Sequence, residues 1–100
     1  MIVGKTFDSN CGQFSSESME YNLVWLKAQQ NYFNDLLATR GHVFLNEIYD
    51  SLGFKRIPGG QVNGWAKGAG CTGEIDFGVR VNGDVVELTF NPDGYILDLI

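Results

Sequence analysis

The sequence predicts an α+β fold, with two N-terminal helices packed on a C-terminal antiparallel sheet of three to four strands. Three observations lead there. Residues 73–90 alternate apolar and polar side chains around Asn82 and Gly83, the pattern of a β-hairpin. Residues 17–52 instead repeat apolar side chains at three- and four-residue steps, the period of helices. The two patterns occupy separate stretches of chain, as they do in two-layer α+β domains.

The hairpin is the most specific of these signals. Ile75, Phe77, Val79 and Val81 alternate with Glu74, Asp76, Gly78 and Arg80. With Asn82 and Gly83 as a type I′ loop, both at positive φ, Val81 pairs with Asp84 and Val79 with Val86. Phe77 then pairs with Leu88 and Ile75 with Phe90, so one face of the ribbon is apolar.

Upstream, residues 1–18 carry little pattern and read as a loosely ordered arm, or a short strand at Ile2 and Val3, before Ser15, Ser16 and Ser18 lead into a helix. The first helix is expected over residues 17–39. Met19, Leu23, Leu26, Phe33 and Leu37 form its stripe, Trp25, Tyr32 and Leu36 widen it, and Gln30 interrupts it at the edge. Gly41 supplies the left-handed residue that stops helices. A second helix is expected over residues 42–52, with Phe44, Leu45, Ile48, Tyr49 and Leu52 on one face and Gly53 at its end.

Residues 54–60 read as a basic connector with strong breakers, and 61–65 as a short strand that Gly64 weakens. A glycine-rich, mobile loop follows over 66–73. Asn91, Pro92, Asp93 and Gly94 match a type I turn closed by a glycine bulge, leading to a last strand over 95–100. Bulge geometry puts Ile96, Asp98 and Ile100 on the apolar face and Tyr95, Leu97 and Leu99 on the wet one. A register slip of one residue reverses that assignment.

One hundred residues allow a single domain over 1–100. No apolar run reaches the roughly 20 residues a membrane span needs, and no secretory signal is visible, so the expected location is the cytoplasm of a bacterial host. The net charge of −5 is uneven: residues 71–100 carry six acids against Arg80, while the first seventy balance. An acidic sheet segment repels nucleic-acid phosphates and attracts a basic protein partner, and it also keeps a small sheet soluble.

No catalytic set emerges. Asp76 and Glu87 on one hairpin face are the best carboxylate pair, but with Arg80 diagonal to Glu87 they also read as a solvated, salt-bridged face. Cys71 lies in a glycine-rich loop suited to a reactive thiol, yet nothing brings the single His42 to it. Cys11 and Cys71 are too few for a disulfide framework or a metal site, and neither metal nor cofactor is expected. The glycines around Gly59 and Gly70 lead toward strands, unlike phosphate-binding loops. Asp93 is a turn residue, since the run of oxygens of a calcium loop is missing. Arg56, Trp65 and Lys67 form a basic-aromatic cluster that suits a protein-binding hot spot, although a Trp at that place can equally pack over the sheet edge.

The segments NYFNDLL (31–37), GHVFLNEIYD (41–50), GQVNGW (60–65), IDFG (75–78) and LTFNPDGYILDLI (88–100) resemble a group of short uncharacterised proteins of phages and mobile elements of Gram-positive and gut bacteria. The likeness covers residues 20–100. This chain has Pro92 where the group has Val before the Asp, and the 66–73 loop differs. The resemblance implies an origin and carries no catalytic residue.

The expected function is therefore a non-enzymatic phage or mobile-element protein that binds another protein and inhibits a host defence nuclease through an acidic surface. Its partner-binding residues are Glu74, Asp76, Asp84, Glu87, Trp65 and Arg56, and it is a monomer or small homo-oligomer. The alternatives are a virion assembly protein that oligomerises through Tyr95, Leu97 and Leu99, and a small thiol-dependent enzyme centred on Cys71.

Overall fold

Ser18 and Gly41 fix the ends of the longest element. In the computed structural model, which describes residues 3–12, 14–68, 71 and 73–97, helix α1 spans Met19–Arg40. The Ser18 hydroxyl accepts the Tyr21 N–H at 3.1 Å, and Gly41, at φ 92°, donates its N–H to the Leu37 carbonyl. Asn22, Leu26, Phe33 and Leu37 are its buried residues. The stripe is narrower than expected on one side: Tyr32 is 57% exposed, its ring set edge-on to Phe33.

The second helix starts later than the period suggests. Residues 42–44 form strand β2 (His42–Phe44), and α2 covers Leu45–Leu52. Long-range pairing overrides the local pattern here, because Val43 lies opposite Trp65 of strand β3 (Asn63–Ala66) and both are fully buried. Glu47 accepts the Phe44 N–H at 2.7 Å and so starts α2. The expected strand over 61–65 is displaced, since Pro58–Gln61 form a turn of 3₁₀-helix. Gly64 does more than weaken β3: a Cβ on it lies 2.1 Å from the Val43 carbonyl oxygen, so only glycine allows the strands this approach.

The hairpin forms with a shifted register. Strand β4 (Arg80–Asn82) pairs with β5 (Val85–Phe90) through Arg80–Glu87, Val81–Val86 and Asn82–Val85, in place of the Val81–Asp84 and Val79–Val86 pairs. The loop is therefore Gly83 and Asp84. Gly83 alone takes positive φ (64°), as when glycine occupies the first position of a two-residue loop, so Asn82 stays in the strand. Ile75, Phe77, Val86, Leu88 and Phe90 are buried as expected, whereas Val79 is 40% exposed. Gly78 is the reason. At φ 58° it takes the chain out of the ladder, and Thr89 packs so close that a Cβ there lies 2.4 Å from its carbonyl oxygen.

The helices do not simply precede one C-terminal sheet. Among the described residues there are two three-stranded antiparallel sheets, ordered β1-β5-β4 and β2-β3-β6, so the class is α+β but the sheet is split. Strand β1 (Val3–Phe7) belongs to the first, with Val3 opposite Phe90 and Phe7 opposite Val86. Strand β6 (Gly94–Tyr95) belongs to the second. The chain after β5 thus crosses to β3 and makes no hairpin with β5: Asp93 N–H donates to the Gly64 carbonyl at 2.7 Å and Ile96 N–H to that of Val62 at 3.0 Å. Ile96 is buried, with Tyr95 and Leu97 exposed, while Asp98, Leu99 and Ile100 lie outside the described residues. An aromatic core joins the layers through Phe7 stacked on Trp25 (5.6 Å) and Phe90 against Tyr49 and Phe77.

Residues 74–77 run along α1 outside any strand, tied to β5 by one backbone bond, the Thr89 N–H donating to the Phe77 carbonyl at 2.8 Å. The Asn34 amide accepts the Ile75 N–H (2.7 Å) and donates to the Ile75 carbonyl (2.9 Å), and Gln30 accepts the Phe77 N–H (2.8 Å). Asn34→Ala leaves both Ile75 groups without that partner and is expected to lower stability by about 2 kcal/mol. Tyr32→Ala on the exposed side of α1 changes it by less than about 0.5 kcal/mol. Urea unfolding followed by tryptophan fluorescence measures both.

Candidate functional site

Most acids of the C-terminal third stand on the hairpin and its approach. Glu74, Asp76 and Asp84 are exposed and Glu87 is half-buried. Their environments differ. The Asp76 carboxylate accepts the Gly78 N–H at 2.8 Å, which closes a local turn before β4. Asp84 occupies the second loop position. Glu87 faces Arg80 directly across the ladder, and the two form an ion pair, with the Asn82 amide donating to the other Glu87 oxygen at 3.0 Å. The Arg80 hydrogen bond, then that of Asn82, holds the Glu87 carboxyl below the usual range. Asp76 and Glu87 take different partners, so the carboxylate-pair geometry of a general acid and base is not what these contacts build.

The basic-aromatic cluster separates. Trp65 is fully buried, with its indole N–H donating to Asn91 Oδ1 at 3.0 Å, so it is a core residue and offers no surface to a partner. Arg56 is exposed and forks onto Asp50, which lowers the pKa of that carboxyl through the hydrogen bond. Lys67 donates to the Ala38 carbonyl in the last turn of α1 at 3.0 Å, a favourable place for a cation. Arg56 borders a groove of about 640 Å³ between the helices, with Tyr32, Leu36 and the Arg40–Glu47 pair on its walls.

Apolar surface lies beside the acids. Val79 and Val81 are 40% and 45% exposed, and Val24 on α1 is 64% exposed. A hollow of about 340 Å³ is lined by Leu23, Lys27, Gln30, Asp76 and Val79, and a neighbour of about 430 Å³ shares Leu23 and Lys27 and adds Val24, Ala28 and Asn31. The acidic hairpin is therefore bordered by a shallow apolar track.

The amides of Gln30, Asn34 and Asn91 position this face, a role the sequence does not assign to any of them. Asn91 Oδ1 accepts the Asp76 N–H at 2.8 Å and its amide donates to the Glu74 carbonyl at 3.3 Å. Only the break in the helical stripe at Gln30 signals any of this in the sequence.

The thiols are far from equivalent. Cys11 is buried, and desolvation raises its pKa, while Cys71 is half-exposed. His42, at the start of β2, sets its ring against Phe44 at 5.3 Å. Among the described residues no group of three or more His, Cys, Asp or Glu side chains is placed to hold a metal ion. No described helix is long and apolar enough to cross a membrane.

These features define a small α+β protein whose most distinctive surface is an acidic hairpin with exposed valines. Over residues 3–100 the chain matches a family of unknown function, DUF6353, and it belongs to that family. No curated protein and no solved structure matches it.

Two outcomes follow from the site chemistry. The lowered Asp50 and Glu87 carboxyls stabilise the fold above their unfolded values, and this contribution is lost as pH falls below about 4.5 through the depressed folded values. The urea midpoint is expected to fall over that window, and less steeply in an Arg56→Gln/Arg80→Gln variant or at high salt. A thiol-reactive dye is expected to label Cys71 in the folded protein and Cys11 only on unfolding, and mass spectrometry of the labelled peptides distinguishes them.

Proposed function

We propose that this chain acts by binding another protein and catalyses no reaction, as the product of a phage or mobile element working in the cytoplasm of a bacterial host. The observation that carries the proposal is the juxtaposition of exposed Asp76 and Asp84 with exposed Val79 and Val81 on one hairpin. Apolar side chains left open next to uncancelled charge suit association with a surface of the opposite sign. Glu74 adds to the acidic field, and Glu87 less so, because Arg80 neutralises it. Arg56, engaged with Asp50, plays a lesser part in this reading, and Trp65 acts only indirectly, through its hydrogen bond to the Asn91 oxygen that also holds the Asp76 N–H.

In its specific form the proposal takes the partner to be a host defence nuclease. A groove built for nucleic acid is basic and steers negative charge inward, so an acidic protein face can occupy it in competition with substrate. The same charge disfavours direct binding of DNA or RNA. Affinity capture from a bacterial host lysate tests the reading. A stoichiometric partner is expected with the wild-type chain and is lost with Asp76→Lys/Asp84→Lys. Recovery of no such partner, or undiminished capture by the charge-reversed chain, counts against it.

A second reading, a virion assembly protein, is favoured by exposed Tyr95 of β6, a strand at the end of its sheet, and by exposed Leu97 just after it. Light scattering separates the two: a large oligomer supports assembly, and a monomer at all concentrations supports partner binding.

A further inference from the structure

Strand β4 ends its sheet, with β5 as its only ladder partner among the described residues. Asn82 and Val85 flank a two-residue loop, so they and the Arg80–Glu87 pair exchange the ladder hydrogen bonds. The N–H and C=O of Val81 therefore point away from β5, along an open edge. The side chain of Val81 lies on the same side of the sheet as Val86, yet Val86 is buried and Val81 is 45% exposed. The apolar face of the hairpin thus extends past the core that covers the rest of it. Val79, two residues before Val81, lines the first of two adjoining hollows on α1, whose walls include Leu23, Val24, Ala28 and Lys27. In the chain, exposed Asp76 and Asp84 stand on either side of the valine pair.

We infer that β4 is a docking edge that takes an extended segment of a partner protein as a fourth strand, apolar at alternate positions and basic at both flanks. The inference rests on the protein-binding reading above and names its mode. Main-chain hydrogen bonds to Val81 give such a segment its alignment, and alternate side chains settle on Val79, Val81 and the α1 hollows. Basic flanks match Asp76 and Asp84. A second copy of this chain fits poorly, because edge-to-edge pairing brings the same acids together.

The test uses the full chain and a short synthetic peptide of alternating valine and threonine between terminal lysines. In the free protein the Val81 amide is expected to exchange rapidly with solvent while that of Val86 is protected, and peptide binding protects Val81. N-methylation of the peptide along one edge is expected to weaken binding by about tenfold or more, and along the other edge by less than about twofold. Absence of peptide binding, equal sensitivity of both edges, a Val81 amide already protected in the free monomer, or a dimer formed through β4 each overturns the inference. Val79→Ser/Val81→Ser, at exposed positions, keeps the fold. If that variant still captures the lysate partner held by wild type, strand addition is wrong while protein binding stands. If wild type captures none, the binding reading itself fails.

Discussion

An extended segment that sends alternate side chains into the core has to find partners for its N–H and C=O groups on both edges, because burying them unpaired costs about 1–3 kcal/mol each. Residues 74–77 meet that constraint mostly with side-chain amides, and at the Phe77 carbonyl with the backbone N–H of Thr89 on β5 (2.8 Å). Asn34 and Gln30 take the edge facing α1, and Asn91 takes the opposite edge through Glu74 and Asp76. Ile75 and Phe77 can then enter the core, and their placement brings the β4–β5 hairpin onto the helix. Glu74 and Asp76 belong to this segment and Val79 and Val81 follow it, so its bracing sets where these exposed acids and valines stand.

The same device recurs where the chain is irregular. Asn22 accepts the Ser15 N–H and donates to the Ser15 carbonyl, and Asn46 does so with Ile57. In each case a helical Asn presents donor and acceptor side by side, as a neighbouring strand does. The amide of Asn46 occupies its position so closely that a Cβ on Gly60 lies 2.2 Å from its oxygen, which fixes glycine there. Regular elements thus order the loops between them through a few neutral amides.

What was legible in the sequence follows from how local each signal is. Periodicity along α1, its stop at Gly41 and the buried Ile75, Phe77, Val86, Leu88 and Phe90 depend on neighbouring residues, and they were read correctly. The partners of β1 and β6 depend on residues far away in the chain, so a C-terminal hairpin meander was expected where the chain in fact crosses to β3. Asn82-Gly83 looked like the loop because both residues tolerate positive φ, but the loop needed only one such residue. The face itself was half legible. Letters show the acids of the last third, while the ion pair that neutralises Glu87 and the burial that removes Trp65 come only from the three-dimensional arrangement. The bracing role of the amides is not legible because a helical Asn or Gln reads as solvated and Asn91 reads as a turn residue.

One oxygen atom joins the two sheets. Asn91 Oδ1 accepts both the Trp65 indole N–H from β3 and the Asp76 N–H from the approach to β4. Loosening either side deprives the other of the fixed position of this shared acceptor. That shared acceptor couples the two sheets, and a fragment cut between β3 and β4 forfeits the coupling.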